Sequence, residues 1–190
     1  RPTRGDVQVV GHGSIFKSGT ALRAHRRRTG MVFQQHHLIG RLTALENVLM
    51  GRLAAHGTLR SMLPLPREDR LLALEVLDRV GLADRALDRA DQLSGGQQQR
   101  VGIARAKAQV PEIMLADEPV ASLDPETAVK VLGDLHRICR EDGITAIVSL
   151  HQVDLARRFA DHIIGLAQGR VVFEGKPDEL GMPALDTIYK

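Results

Sequence analysis

The chain has 190 residues, 43% of them apolar and 26% charged, a composition that suits one soluble globular domain with its own core. No apolar run approaches the roughly 18–20 residues of a membrane-spanning helix, and the opening "RPTRGDVQVV" lacks both the apolar stretch of a signal peptide and an initiator Met. The net charge of +3 is too small to argue for nucleic acid, and the single cysteine, Cys139, excludes an internal disulfide and fits a reducing compartment such as the cytoplasm.

In chain order, "GDVQVVG" alternates like a short strand that ends in a turn. "SGTALRAHRRR" reads as a helix with Ser18 or Thr20 as its N-cap. Its basic run "RAHRRR", residues 23–28, reads as a solvated face, with Leu22 on the core side. "TGMVFQQ" is a short strand running into polar residues, and residues 42–92 read as helical, with a break at "SMLPLP". In "REDRLLALEVLDRVGL" the expected buried face carries Leu71, Leu74, Leu77 and Val80, with Gly81 as the C-cap. "VGIARAKA" is a helix, "EIMLAD" a buried strand, and "PETAVKVLGDLHRICRED" an amphipathic helix with Pro125 in its first turn. "ITAIVSL" reads as a second buried strand and "QVDLARRFA" as a short helix. "HIIGLAQGRVVFEG" reads as two strands turning at Gln168 and Gly169. The order β-α-β-α-β-β implies an α/β layer architecture with a mainly parallel sheet.

Four places carry chemistry. Asp117 and Glu118 stand at the carboxyl end of a buried strand, the edge where ligands bind in open α/β sheets. Two adjacent carboxylates there need a cation, and Mg²⁺ with phosphates supplies one; the alternative is an acidic cap for the next helix. His151 follows the next strand, where an imidazole can donate to a phosphate oxygen, although a lone histidine after a strand is more often structural. Gln34 closes the "GMVF" strand and is a neutral oxygen ligand for the same edge. His36 and His37 have no partners at zinc-like spacing and read as surface histidines. In "LSGGQQQR", Ser94 is an N-cap, and Gly95 and Gly96 leave the first amides of the helix bare, as an anion site would. Two glycines in a first turn cost roughly 1 kcal/mol each against alanine, so something must approach that backbone, and a phosphate is the natural candidate.

"LSGGQQQR", "IMLADEP", "SLD" and His151 resemble, in order and spacing, the signature, Walker B, D-loop and switch histidine of ABC-type ATPases, and Gln34 in "MVFQ" resembles the Q-loop. The resemblance covers nearly the whole chain, and "MVFQQHHLIGRLTALENVLMGRL", "ADEPVASLDPETA" and "LHQVDLARRFADHIIGL" resemble the ATP-binding subunits of bacterial phosphonate importers. It implies a P-loop NTPase core of mainly parallel sheet with a helical subdomain. Residues 1-41 would carry a remnant of the N-terminal β part and the Q-loop, 42-92 the helical subdomain, and 93-190 the signature helix, Walker B, D-loop, H-loop and C-terminal core. It implies ATP and Mg²⁺ as cofactors. Asp117 would hold Mg²⁺ through water and Glu118 would be the general base. Gln34 would sense metal and γ-phosphate, and His151 would contact the γ-phosphate. Ser94, Gly95, Gly96 and Gln97 would meet ATP on the opposite protomer, with Asp124 bridging the two. The implied partners are a second copy in an ATP-sandwich homodimer and membrane permease subunits, on the cytoplasmic face of the cell membrane, without nucleic acid.

Two departures stand out. The nearest match to G-x-x-x-x-G-K-[ST] is "GHGSIFKS", where Phe16 replaces the second glycine and the flanking strand and helix are wrong. The expectation is that the chain begins just past the P-loop helix, lacks the adenine platform, and by itself neither binds ATP well nor hydrolyses it. Lys107 stands where family members carry an apolar residue and must snorkel or cost stability. Rival readings are a non-catalytic interaction module, a DNA-repair-type ABC ATPase, for which the long coiled coils are missing, and a nucleic-acid binder, for which one Tyr and no Trp offer little stacking surface.

Overall fold

The structure, a computed structural model, describes residues 3–11, 13–56 and 64–189. The chain folds as two compact units, Arg1–Ser149 and Leu150–Lys190. In the first unit, β1 (Gln8–Val9) and β2 (Gly13–Ser14) form an antiparallel hairpin. Lys17 and Ser18 follow this hairpin rather than a buried strand, and Ser18 caps α1 (Gly19–Arg28) by accepting from the Ala21 amide at 3.0 Å. His25 and Arg26, Arg27 and Arg28 fill the last turn of α1, where the helix dipole favours cations. α1 buries none of its residues, and Leu22 is only half-buried, so the basic run is a solvated face with little core side.

Three parallel strands form the central sheet in the order β3 (Thr29–Val32), β4 (Ile113–Asp117), β5 (Thr145–Ser149). Val32 pairs with Ala116, and Asp117 with Ser149, so the three carboxyl ends lie along one edge. β4 is the middle strand and buries Met114 and Ala116. β5 is not the buried strand its composition suggests. It pairs with β4 alone among the described strands, buries no residue, and leaves Ile147 62% exposed. An apolar run encodes a preference for burial, and the neighbours decide whether burial occurs.

Helices cover the sheet and build the remainder of this unit. α2 (Ala44–Leu49) starts with a capping box between Thr43 and Glu46 and passes into a 3-10 turn, Met50–Ala55. Asn47, fully buried on α2, accepts from the Ile39 amide and donates to the carbonyls of Ile39, Leu42 and Thr43, which fastens the preceding loop. α3 (Arg67–Arg79) begins after Pro66; of the sequence break, residues 61–63 lie outside the described residues. Its inward face is Asp69, Ala73, Val76 and Leu77, continued by Val80. Leu71 and Leu74 point outward, 54% and 38% exposed, because a spacing of three drifts about 60° per step on a helix of 3.6 residues per turn. Gly81 ends α3 at φ +66°, with its amide on the Asp78 carbonyl and the Leu82 amide on Leu77, a Schellman pair that favours glycine.

α4 (Gly95–Ala108) is the central helix, packed on α2, α3, β3 and α5 (Pro125–Glu141). At its C-terminal end Arg52 donates to the Ala108 carbonyl at 3.0 Å and to Asp69 at 2.7 Å, and His56 Nε2 lies 2.6 Å from the other Asp69 oxygen. Burial pushes the Asp69 carboxyl up. The hydrogen bonds and charges of Arg52 and His56 outweigh it and hold the group below the ordinary range. Lys107 does not snorkel free: it is 12% exposed and pairs with Asp142 at 3.1 Å, beside the bidentate Arg79–Asp142 bond. Burial pushes the nearby Cys139 thiol up to about 11, so it stays protonated and unreactive at neutral pH.

The second unit contains α6 (Val153–Phe159), the antiparallel pair β6 (Ile163–Ala167) and β7 (Arg170–Gly175), and α7 (Met182–Ile188). Gln168 (φ +49°) and Gly169 (φ +73°) make the expected tight turn, and a bulge interrupts the pairing at Gly165/Leu166. The element order after the signature is the one the sequence implies as far as β7, and a 3-10 turn, Pro177–Glu179, and α7 follow it. No helix among the described residues is long and apolar enough to cross a membrane.

Candidate functional site

Asp117 is the last residue of β4 and Glu118 the first beyond it. Asp117 is exposed, and its Oδ1 accepts from the Ser149 hydroxyl at 2.8 Å. The same hydroxyl oxygen accepts from the Glu118 amide at 3.0 Å. Glu118 sits at φ +44°, a left-handed conformation that costs a residue with a side chain roughly 1–3 kcal/mol and collects at functional sites. The parallel register, which sets Ser149 opposite Asp117, makes this bridge possible. Sequence reasoning missed Ser149, because an ordinary serine at the end of an apolar strand carries no local signal. The acidic helix cap considered for Asp117 and Glu118 belongs instead to Asp124, whose Oδ1 accepts from the Thr127 amide at 3.0 Å to start α5. Its carboxyl lies below the ordinary range, lowered first by the Thr127 side chain and then by the Thr127 amide.

At the start of α4, Ser94 is the N-cap as expected, within a full capping box: Ser94 Oγ accepts from the Gln97 amide at 3.3 Å, and Gln97 Oε1 from the Ser94 amide at 2.8 Å. The box serves two of the four orphan donors of the helix start and leaves the amides of Gly95 and Gly96. Gly95 is exposed, and a Cβ there would rest 3.5 Å from Leu123. Gly96 is buried, and a Cβ there would fall 2.3 Å from Thr127 Cγ2. The group that comes close to Gly96 is therefore the first turn of α5, and the glycine needs no phosphate to explain it. Ser94, Gly95, Gly96, Gln97 and Asp124 thus gather at one corner, where α4 and α5 begin.

Gln34 is exposed, two residues past β3, on the sheet edge that also carries Asp117. The backbone on either side of it is tied to α4. Gln99, fully buried, donates to the Phe33 carbonyl at 3.3 Å, and its Oε1 meets His36 Nδ1. Arg105 donates to the carbonyls of His37 at 2.6 Å and His36 at 2.9 Å. His36 is thus half-buried and partnered, not the surface histidine expected, because the polar face of α4 reaches it. His37 is exposed and lies edge-on to Phe33 at 4.8 Å. Gln99 and Arg105 were passed over because their partners lie more than 60 positions away along the chain.

His151 belongs to the second unit, is exposed, and presents its carbonyl to the Tyr189 hydroxyl at 2.6 Å. No group of three or more His, Cys, Asp or Glu able to cage a metal occurs among the described residues. Mg²⁺ does not need one: it binds through one or two carboxylates plus water and phosphate. Asp117 fits that use, with one oxygen fixed by Ser149 and the other without a hydrogen-bond partner among the described residues.

The sequence model of the family described as "ABC transporter" matches residues 1–121. The chain belongs to the ABC transporter family. This family member is 67% identical over 172 residues to the phosphite import ATP-binding protein PxtA of Stutzerimonas stutzeri, covering 90% of the chain and 62% of that protein. It is 59% identical over 189 residues to the phosphonates import ATP-binding protein PhnC 3 of Nostoc sp., covering 100% of the chain and 72% of the relative. The ABC chain thus spans about two thirds of the length of these curated relatives. Its fold matches a dimeric post-hydrolysis state of the ATP-binding cassette MJ0796 bound to ADP and Pi, with a TM-score of 0.76, 39% identity, and coverage of 93% of this chain and 75% of that one.

Proposed function

We propose that the chain is the energy-coupling part of an ABC importer for phosphonate, phosphite or related oxyanions, in which binding and hydrolysis of MgATP drive uptake. The single observation that carries this reading is 59–67% identity with import ATP-binding proteins over at least 90% of the chain. The same relatives favour an importer over a DNA-repair-type ATPase and over a non-catalytic interaction module.

Asp117, fixed by Ser149, would hold a divalent cation through water, and that cation would supply positive charge to offset the phosphates. Glu118, held in place by its backbone, takes a proton from the attacking water. Gln34 reports on cation and γ-phosphate, and its tethers to α4 carry the report toward the 42-92 segment, which docks on permease subunits. His151 donates to the γ-phosphate. Ser94, Gly95, Gly96 and Gln97 serve ATP held by a second copy, and Asp124 bridges the copies. Ser94 Oγ and Gln97 Oε1 already accept within the capping box, so the Ser94 hydroxyl proton, the Gln97 NH₂ group and the two glycine amides remain as donors. The subunit lies on the cytoplasmic face of the membrane, peripheral to it.

Glu118→Gln in the full-length protein tests this. Hydrolysis falls about 100-fold or more, as loss of a general base predicts, while ATP accumulates in a dimer seen by size-exclusion chromatography. Unchanged turnover refutes the assignment of Glu118, and a wild-type protein that neither binds nor hydrolyses MgATP refutes the function.

A further inference from the structure

We infer that Ser149 is a positioning residue for the carboxylate pair: its hydroxyl aims the Asp117 carboxylate at a divalent cation and locks the left-handed turn that presents Glu118. The inference rests on the cation and general-base reading of those two residues. A serine hydroxyl has one proton to give, and here Asp117 Oδ1 takes it at 2.8 Å. The oxygen then accepts the Glu118 amide proton at 3.0 Å. One side chain therefore sets both the carboxylate rotamer and the peptide plane that follows it.

Packing does not ask for this serine. It is exposed, it follows the apolar run Ala146, Ile147 and Val148, and a β-branched apolar residue suits a strand better. The bond occupies Oδ1 and leaves the second carboxylate oxygen for the cation. Partners that orient direct metal ligands typically change metal affinity about 10–100-fold when removed, and the low end of that range applies to Ser149 because Asp117 holds the cation through water.

Ser149→Val and Ser149→Thr provide the test in the full-length protein, since they match in shape and differ in the hydroxyl. The first readout needs no nucleotide: amide hydrogen exchange at Glu118 speeds up about tenfold or more in the valine variant and stays near wild type in the threonine variant. The second is the cation. With Mn²⁺ followed by electron paramagnetic resonance in the presence of ATP, the valine variant binds the ion about tenfold more weakly. Its Mg²⁺ requirement for hydrolysis rises by the same factor, and the KM for ATP moves less than twofold. Threonine restores all three. Matching behaviour of the two variants, or wild-type exchange and ion affinity in the valine variant, overturns the inference. If the wild-type protein fails to hydrolyse MgATP, the proposed function falls on its own. Glu118 exchange then decides whether Ser149 holds that turn, and a valine variant with wild-type protection sinks it.

Discussion

α4 and β5 invert the usual link between hydropathy and burial. α4 carries three glutamines, two arginines and a lysine among its 14 residues, yet eight of them are buried. β5 is apolar at three of its five positions, Ala146, Ile147 and Val148, and buries none. α4 is surrounded by β3, α2, α3 and α5, and Gln98, Gln99, Arg100 and Arg105 reach neighbouring backbone carbonyls, although Arg100 Nε stays buried without a partner among the described residues, whereas β5 has one paired neighbour among the described strands. Burial here follows the number of neighbours and the supply of hydrogen-bond partners, and the apolar content of an element sets only its preference.

Substitutions in the two elements sharpen that contrast. Ile103→Ala removes a fully buried side chain from α4 and costs about 4 kcal/mol in a urea melt. Next comes Asp69→Asn, which leaves Arg52 half-answered at the C-terminal end of α4 and costs about 3 kcal/mol at pH 7, since breaking a buried pair is expensive. Its pH dependence has a fixed sign. The folded carboxyl lies below its ordinary value of 3.8, so its stabilisation is complete above that value and vanishes as pH falls through the lower folded one. The gap between wild type and variant, followed by melts from pH 7 to pH 3, therefore closes only below about pH 4. Gly96→Ala costs about 2 kcal/mol through the clash with Thr127, and Thr127→Ser, which removes the clashing methyl, recovers a large part of it in a double-mutant cycle. The smallest effect belongs to β5: Ile147→Thr changes stability by less than about 0.5 kcal/mol, and a loss of 2 kcal/mol or more would break the contrast.

The residues that a sequence shows plainly are those whose partners lie nearby along it. Ser94 with Gln97, Asp124 with Thr127, and Gly81 after α3 are local devices, and each stands where its neighbours require. Asp117 and Glu118 are legible because two carboxylates closing an apolar strand conflict with burial. Ser149, Gln99 and Arg105 are not, since their bonds span 31 to 69 positions and depend on strand register and helix packing that periodicity does not encode. Gly96 is legible as an anomaly, and its missing side chain makes room for Thr127 of α5 in its own chain, a contact that the sequence does not announce.

The grip of α4 on the segment around Gln34 has a mechanical meaning. Gln99 and Arg105 lie almost two turns apart and hold the carbonyls of Phe33, His36 and His37. A pull on that segment is met by a helix rather than a hinge, and the same helix carries the Ser94–Gly96 turn about one turn before Gln99.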